Sequence, residues 1–172
     1  MALINLVEKD TQDPQVAAMF RQIEKAFGDV GDNFRLAAVS PSILKEILGR
    51  GAYLALESGL PQIVFPVIRY AVSYRENGKF CIKFNGELLK NAGYTDEDLA
   101  VIADKGVSPH LSDGENALIL KALKVVYQPE EFSGVDVGEL KDFGFSERQI
   151  LDASEHAATM LKMTKILKAF KI

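Results

Sequence analysis

Tryptophan is absent from this 172-residue sequence, cysteine occurs once and histidine twice. A lone cysteine, Cys81, cannot close a disulfide within the chain. The histidines, His110 and His156, stand far apart in sequence and neither belongs to a Cys/His cluster, so no metal site and no bound cofactor are expected. The acidic "TDED" lacks the alternating ligand pattern of a calcium loop. Excess positive charge is also missing. Twenty Lys and Arg stand against 24 Asp and Glu, giving a net charge of −4 with the signs interspersed, which leaves no electrostatic footprint for nucleic acid.

Long apolar runs are lacking as well. The most apolar stretch, "LPQIVFPVIRYAVSY", is interrupted by Pro66 and Arg69, short of the roughly 20 residues that span a bilayer, so no membrane partner is expected. The Met- and Lys-rich stripe of "TMLKMTKILKAFK" is read as a bundle face and subunit contact rather than a membrane-surface helix. The opening "MALINLVEKD" carries neither a basic leader nor a signal-length apolar run, and a cytoplasmic protein is expected. "FGDVGDNF" follows no strand and lacks the Lys-Ser/Thr of a phosphate loop, so it reads as a turn between helices; no Gly-x-Ser-x-Gly elbow occurs.

What the sequence does contain is helix grammar. An apolar content of 48% suffices for one sizeable core, and a single domain over residues 1–172 is expected. In "DPQVAAMFRQIEKAFG", Asp13 caps, Pro14 opens the helix, Val16, Met19, Phe20, Ile23 and Phe27 share a face, and Gly28 stops it. "SPSILKEILGRGAYLALESG" repeats the pattern from Ser40 to Gly59, with Leu44, Ile47, Leu48 and Leu54 or Ala55 turned inward. Residues 63–75 are apolar nearly all round, as in a central buried helix, with Pro66 in the first turn. Helices are expected over 79–92, 96–105, 113–128 and 147–170, with capping boxes at Thr95/Asp98, Ser112/Glu115 and Ser146/Gln149, and a shorter one near 137–143. No segment alternates with period two, so the class is all-α. "GELLKNAGYTDEDL" and "GELKDFGFSERQI" echo each other, either as a duplicated helical unit or because any helix, Gly, cap, helix junction reads this way.

The succession "NFRLAAVSPSILKEIL", "VIRYAVSY", "FCIKFN", "LLKNAGYTDEDL" and "GFSERQILDASEHAATMLKMTKILKAF" resembles the AhpD-like alkylhydroperoxidase and carboxymuconolactone decarboxylase family over residues 33–172. The resemblance implies that all-α fold and assembly with itself, as a trimer or hexamer. Peroxidase members carry Cys-x-x-Cys at the start of the central helix, a His four residues later and a Glu about a dozen before. On this chain the second Cys falls on Cys81, but the first falls on Gly78, the His on Asn85 and the Glu on Pro66. A Cys-x-x-Cys alkylhydroperoxidase is therefore not expected. Decarboxylase-type members usually keep the His that Asn85 replaces.

Cys81 has two readings. The first turn of a helix, with Lys79 and Lys83 close by, favours a thiolate. Its neighbours Phe80, Ile82 and Phe84 favour a small buried hydrophobe, the reading preferred here. Asn85 cannot move a proton at neutral pH, and Glu76 and Glu87 read as exposed helix-end residues. His156 shares a helical stripe with Met160, Met163 and Leu167 and is expected in packing or a subunit contact; His110 reads as a loop residue. Three functions remain open. The favoured one is a protein of this fold whose peroxidase centre is lost, keeping a small-molecule pocket lined by Tyr74, Gly78, Asn85 and His156 around Cys81. The others are a single-cysteine, thiol-dependent antioxidant enzyme and a non-catalytic oligomeric interaction protein.

Overall fold

The computed structural model describes residues 2–172. Its elements are α1 (Pro14–Phe27), α2 (Asp32–Ala37), α3 (Pro41–Leu56), α4 (Val64–Arg75), α5 (Lys79–Asn91), α6 (Asp96–Lys105), α7 (Asp113–Tyr127), a 3-10 turn (Pro129–Glu131), α8 (Gly134–Asp142) and α9 (Glu147–Ala169). No strand occurs among the described residues, so the protein is all-α. It forms two compact units, one of residues 2–57 with 167–172 and one of residues 58–166.

In the first unit the Asp13 carboxylate accepts from the Gln15 and Val16 amides at 2.8 and 3.0 Å, which supplies two of the amides that a helix start leaves unpaired. Val16, Met19, Phe20 and Ile23 then pack with Val30, Phe34, Ala37, Ala38 and Leu44. Full burial of a side chain such as Ile23 or Leu44 stabilises by about 1.5–3 kcal/mol. Phe27, expected inward, is the last residue of α1; it is 47% exposed and stacks on Phe34 at 5.7 Å. The "FGDVGDNF" stretch turns between helices at residues 28–31, as expected, but into a helix that was not expected. Asp32 already begins α2, whose six residues are too few for a periodic signal and whose Phe34, Leu36 and Ala37 are buried. Ser40 takes the capping backbone position of α3 without a side-chain cap bond, and Leu54 rather than Ala55 is the buried residue.

The second unit is built on α4. Val64, Phe65, Val67, Ile68, Tyr70, Ala71, Val72 and Ser73 are all buried, as its all-round apolarity requires, and α5, α6 and α7 pack against it. Pro66 is the third helical residue, where a missing N–H costs no intrahelical bond. Helix α5 turns Cys81, Asn85, Gly86 and Leu89 inward. Gly86 is small for a reason of packing: a Cβ there would sit 3.3 Å from the Tyr70 ring. The capping boxes at Thr95/Asp98 and Ser112/Glu115 form as expected, and Ser146 and Gln149 bond reciprocally. A further box at Ser133/Asp136 opens α8 at Gly134, three residues ahead of the expected start.

The two echoing junctions share one backbone geometry. Tyr94 N–H reaches the Leu89 carbonyl and Phe145 N–H the Leu140 carbonyl, each across a glycine of positive φ, Gly93 (+94°) or Gly144 (+92°). This is the stop that a left-handed glycine gives a helix, independent of what the helix packs against.

Candidate functional site

The site lies in the second unit and is assembled from α4, α5 and α9. Cys81, the third residue of α5, is 4% exposed. Burial pushes its thiol above the ordinary value of 9.0, and the nearby Thr164 hydroxyl of α9 offsets part of that shift. Three residues earlier Gly78 faces the same threonine, and a Cβ on Gly78 would overlap Thr164 Cγ2. A larger residue at 78 requires Thr164 to move.

One turn beyond Cys81, Asn85 is 1% exposed and holds both neighbours. Its Nδ2 donates to the Cys81 carbonyl at 2.9 Å and its Oδ1 accepts from Arg69 Nε at 2.7 Å. Arg69 lies on α4, where the Ser73 hydroxyl donates to its carbonyl. Its Nη1 is 3.3 Å from Nε2 of His156, whose ring meets Phe65 edge-on at 5.0 Å between centroids. Because a guanidinium only donates, His156 Nε2 is the unprotonated nitrogen in this contact. Loss of hydration lowers the Arg69 guanidinium from 12.5 to about 10, so it remains charged at neutral pH. No carboxylate lies within ion-pair distance of Arg69 among the described residues. The centre is therefore a partly buried cation flanked by two neutral side chains.

The residues expected at the site separate into two groups. Cys81, Gly78, Asn85 and His156 come together, and His156 lies on a buried stripe of α9 with Met160 and Thr164. Tyr74 does not join them; it is 51% exposed and turns its ring toward Tyr70, 6.3 Å away. Glu76 departs from its expected exposure. Its carboxylate is 12% exposed and pairs with Lys165 at 2.6 Å; burial, together with this carboxylate, pushes the nearby Tyr127 hydroxyl up to about 12. Glu87 is exposed, 4.0 Å from Lys83. His110 is tied to Asp98 at 2.8 Å and packs on Tyr94, away from the centre.

Arg69 is the member that sequence reasoning treated only as a break in an apolar run. Its signal was available: a charge on a helix buried on every side has to be paired, or kept for a purpose. Among the described residues no group of three or more His, Cys, Asp and Glu could hold a metal ion, and no helix is long and apolar enough to cross a membrane.

Comparison with solved structures decides the fold. An uncharacterised peroxidase-related protein from a Silicibacter species superimposes with a TM-score of 0.85 at 18% identity, covering 99% of this chain and 90% of that one. The chain has the AhpD-like fold. A second peroxidase-related protein, from Ralstonia eutropha and described as an alkylhydroperoxidase AhpD core, matches with a TM-score of 0.85 at 16% identity over 99% and 90% of the two chains. The debrominase Bmp8, in a cysteine-to-alanine variant bound to 2,3,4-tribromopyrrole, matches with a TM-score of 0.78 at 13% identity over 99% and 92%. No family model and no curated protein matches the sequence. At these identities the AhpD-like likeness concerns the backbone, and the side chains have to be judged on their own geometry.

Proposed function

We propose that this chain is an AhpD-fold protein whose two-thiol peroxidase centre is lost and whose α4–α5–α9 centre binds a small molecule. The observation that carries the reading is the commitment of Asn85. The residue aligned with the family's histidine spends its amide on Arg69 and on the Cys81 carbonyl and offers no base. Two further facts support it. Cys81 has no partner thiol in the sequence and sits buried with a raised pKa, and Gly78, aligned with the first cysteine, faces Thr164 so closely that a side chain there would displace it. Among proteins of the same fold, Bmp8 accommodates a small halogenated heterocycle. The working form is a self-assembled cytoplasmic trimer or hexamer.

The test is thiol reactivity in the native state. Cys81 is expected to resist iodoacetamide until the protein unfolds, and peroxide consumption with added dithiol is expected to equal the rate of the Cys81→Ser variant. Fast native alkylation with a midpoint well below about 8.5, together with peroxide turnover that Cys81→Ser abolishes, would replace this reading with a single-cysteine antioxidant enzyme. Size measurement in solution checks the assembly; a monomer at micromolar concentration refutes it.

A further inference from the structure

A guanidinium taken out of water loses hydration that a carboxylate partner ordinarily replaces. Arg69 has no such partner. It is fixed on the innermost helix of its unit, where Val67, Ile68, Ala71 and Val72 are fully buried, yet part of the residue stays accessible. Of the five N–H donors of a guanidinium, one goes to Asn85 Oδ1 and one to His156 Nε2. The remaining three meet no acceptor among the described residues.

The charge count restricts what can complete the arrangement. Asn85 is neutral, and His156 accepts through an unprotonated nitrogen, so Arg69 contributes one positive charge. Of the other charged residues on these helices, Glu76 and Lys165 neutralise each other, Asp152 is half-buried and engaged in an interaction of its own, and the rest are exposed. A dianion would carry one uncompensated charge beside Phe65 and the apolar face of α4, whereas a monoanion leaves the centre neutral. A planar carboxylate also fits the donor fork of a guanidinium. Resting on the small-molecule reading above, the geometry points to Arg69, Asn85 and His156 as the binding site for a small organic carboxylate carrying a single negative charge.

Calorimetric titration of the full chain in carboxylate-free buffer tests this, with benzoate as the probe, benzamide as its neutral counterpart and inorganic phosphate as the more highly charged anion. Benzoate is expected to bind saturably, one per chain, and benzamide at least tenfold more weakly. Arg69→Met is expected to weaken benzoate at least tenfold, and Arg69→Lys by less. Should Arg69→Met fail to fold, Asn85→Asp gives the second arm. It places a carboxylate of the chain itself against Arg69 and is expected to compete benzoate away by a similar factor. No saturable benzoate binding, equal binding by the Arg69→Met and parent proteins, or phosphate binding more tightly than benzoate through Arg69 would each overturn the proposal. The two readings fail separately. A fast-reacting Cys81 with peroxide turnover removes the parent reading whatever benzoate does, while absent benzoate binding beside an inert Cys81 removes the carboxylate site alone.

Discussion

Of the charges taken inside the second unit, two are treated in opposite ways. Asp136, 3% exposed at the start of α8, is surrounded by compensation: Lys121, Lys124 at 2.9 Å and the Ser133 amide at 2.8 Å all bond its carboxylate. These bonds hold its carboxyl well below the usual carboxylate range. Arg69 receives two neutral contacts and no countercharge, and its guanidinium is pushed down to about 10. The first arrangement is complete without anything from outside, and it closes α8 onto α7. The second is incomplete within the chain. A buried charge that is fully paired secures the fold, and one left open costs stability until a ligand satisfies it.

The sharpest way to break this comparison is Asp136→Asn. The amide keeps the shape and one acceptor but removes the charge that Lys121 and Lys124 share, so this variant is expected to lower the urea midpoint more than any other substitution considered below. A smaller loss than that of Gly78→Ala would mean that the cluster is only a surface feature. The same residue sets an acid limb. Its pKa is depressed in the folded state, so its stabilisation is complete above the ordinary value of 3.8 and is lost as pH falls below it; the Asp136→Asn variant should lack that limb.

Next in size is the tight contact beside Cys81. Gly78→Ala is expected to cost about 1–3 kcal/mol through overpacking against Thr164, and Thr164→Ser, which removes the obstructing methyl and keeps the hydroxyl, should recover most of it. Additive losses in that double-mutant cycle would show that the two residues do not meet.

Arg69→Met should change stability least, by less than about 2 kcal/mol in either direction. Removing the cation relieves its desolvation while leaving Asn85 Oδ1 without its donor. The difference from the parent protein should be flat from about pH 8 to about 9, above the range in which His156, relieved of its contact with Arg69, can take up a proton. Arg69 is charged in both folded and unfolded states below about 10, and its burial penalty eases only as pH rises further. A loss as large as that of Asp136→Asn would make Arg69 a structural residue and erase the contrast.

Much of the helical layout was legible locally. Asp13 with Pro14, Thr95 with Asp98, and Ser112 with Glu115 act within one turn of chain, and each forms the cap its spacing implies. The all-round apolarity of residues 64–75 likewise marked the central helix. Helix α2 was not legible because six residues cannot display a period, and Phe27 was misjudged because a helix end leaves the core where the chain turns. At the site, Cys81 as a buried thiol followed from sequence; the commitment of Asn85 to Arg69, the exposure of Tyr74 and the burial of Glu76 did not.

The sequence by itself determined that this protein is helical, where most of its helices begin, and that no second thiol is available, because those properties depend on periodicity, capping within a turn and composition. Only the tertiary structure decided that Arg69, Asn85 and His156 meet and that Thr164 closes over Gly78. Arg69 and Asn85 are 16 residues apart and Arg69 and His156 are 87 apart, on three different helices, and no local rule fixes which faces of those helices pack together.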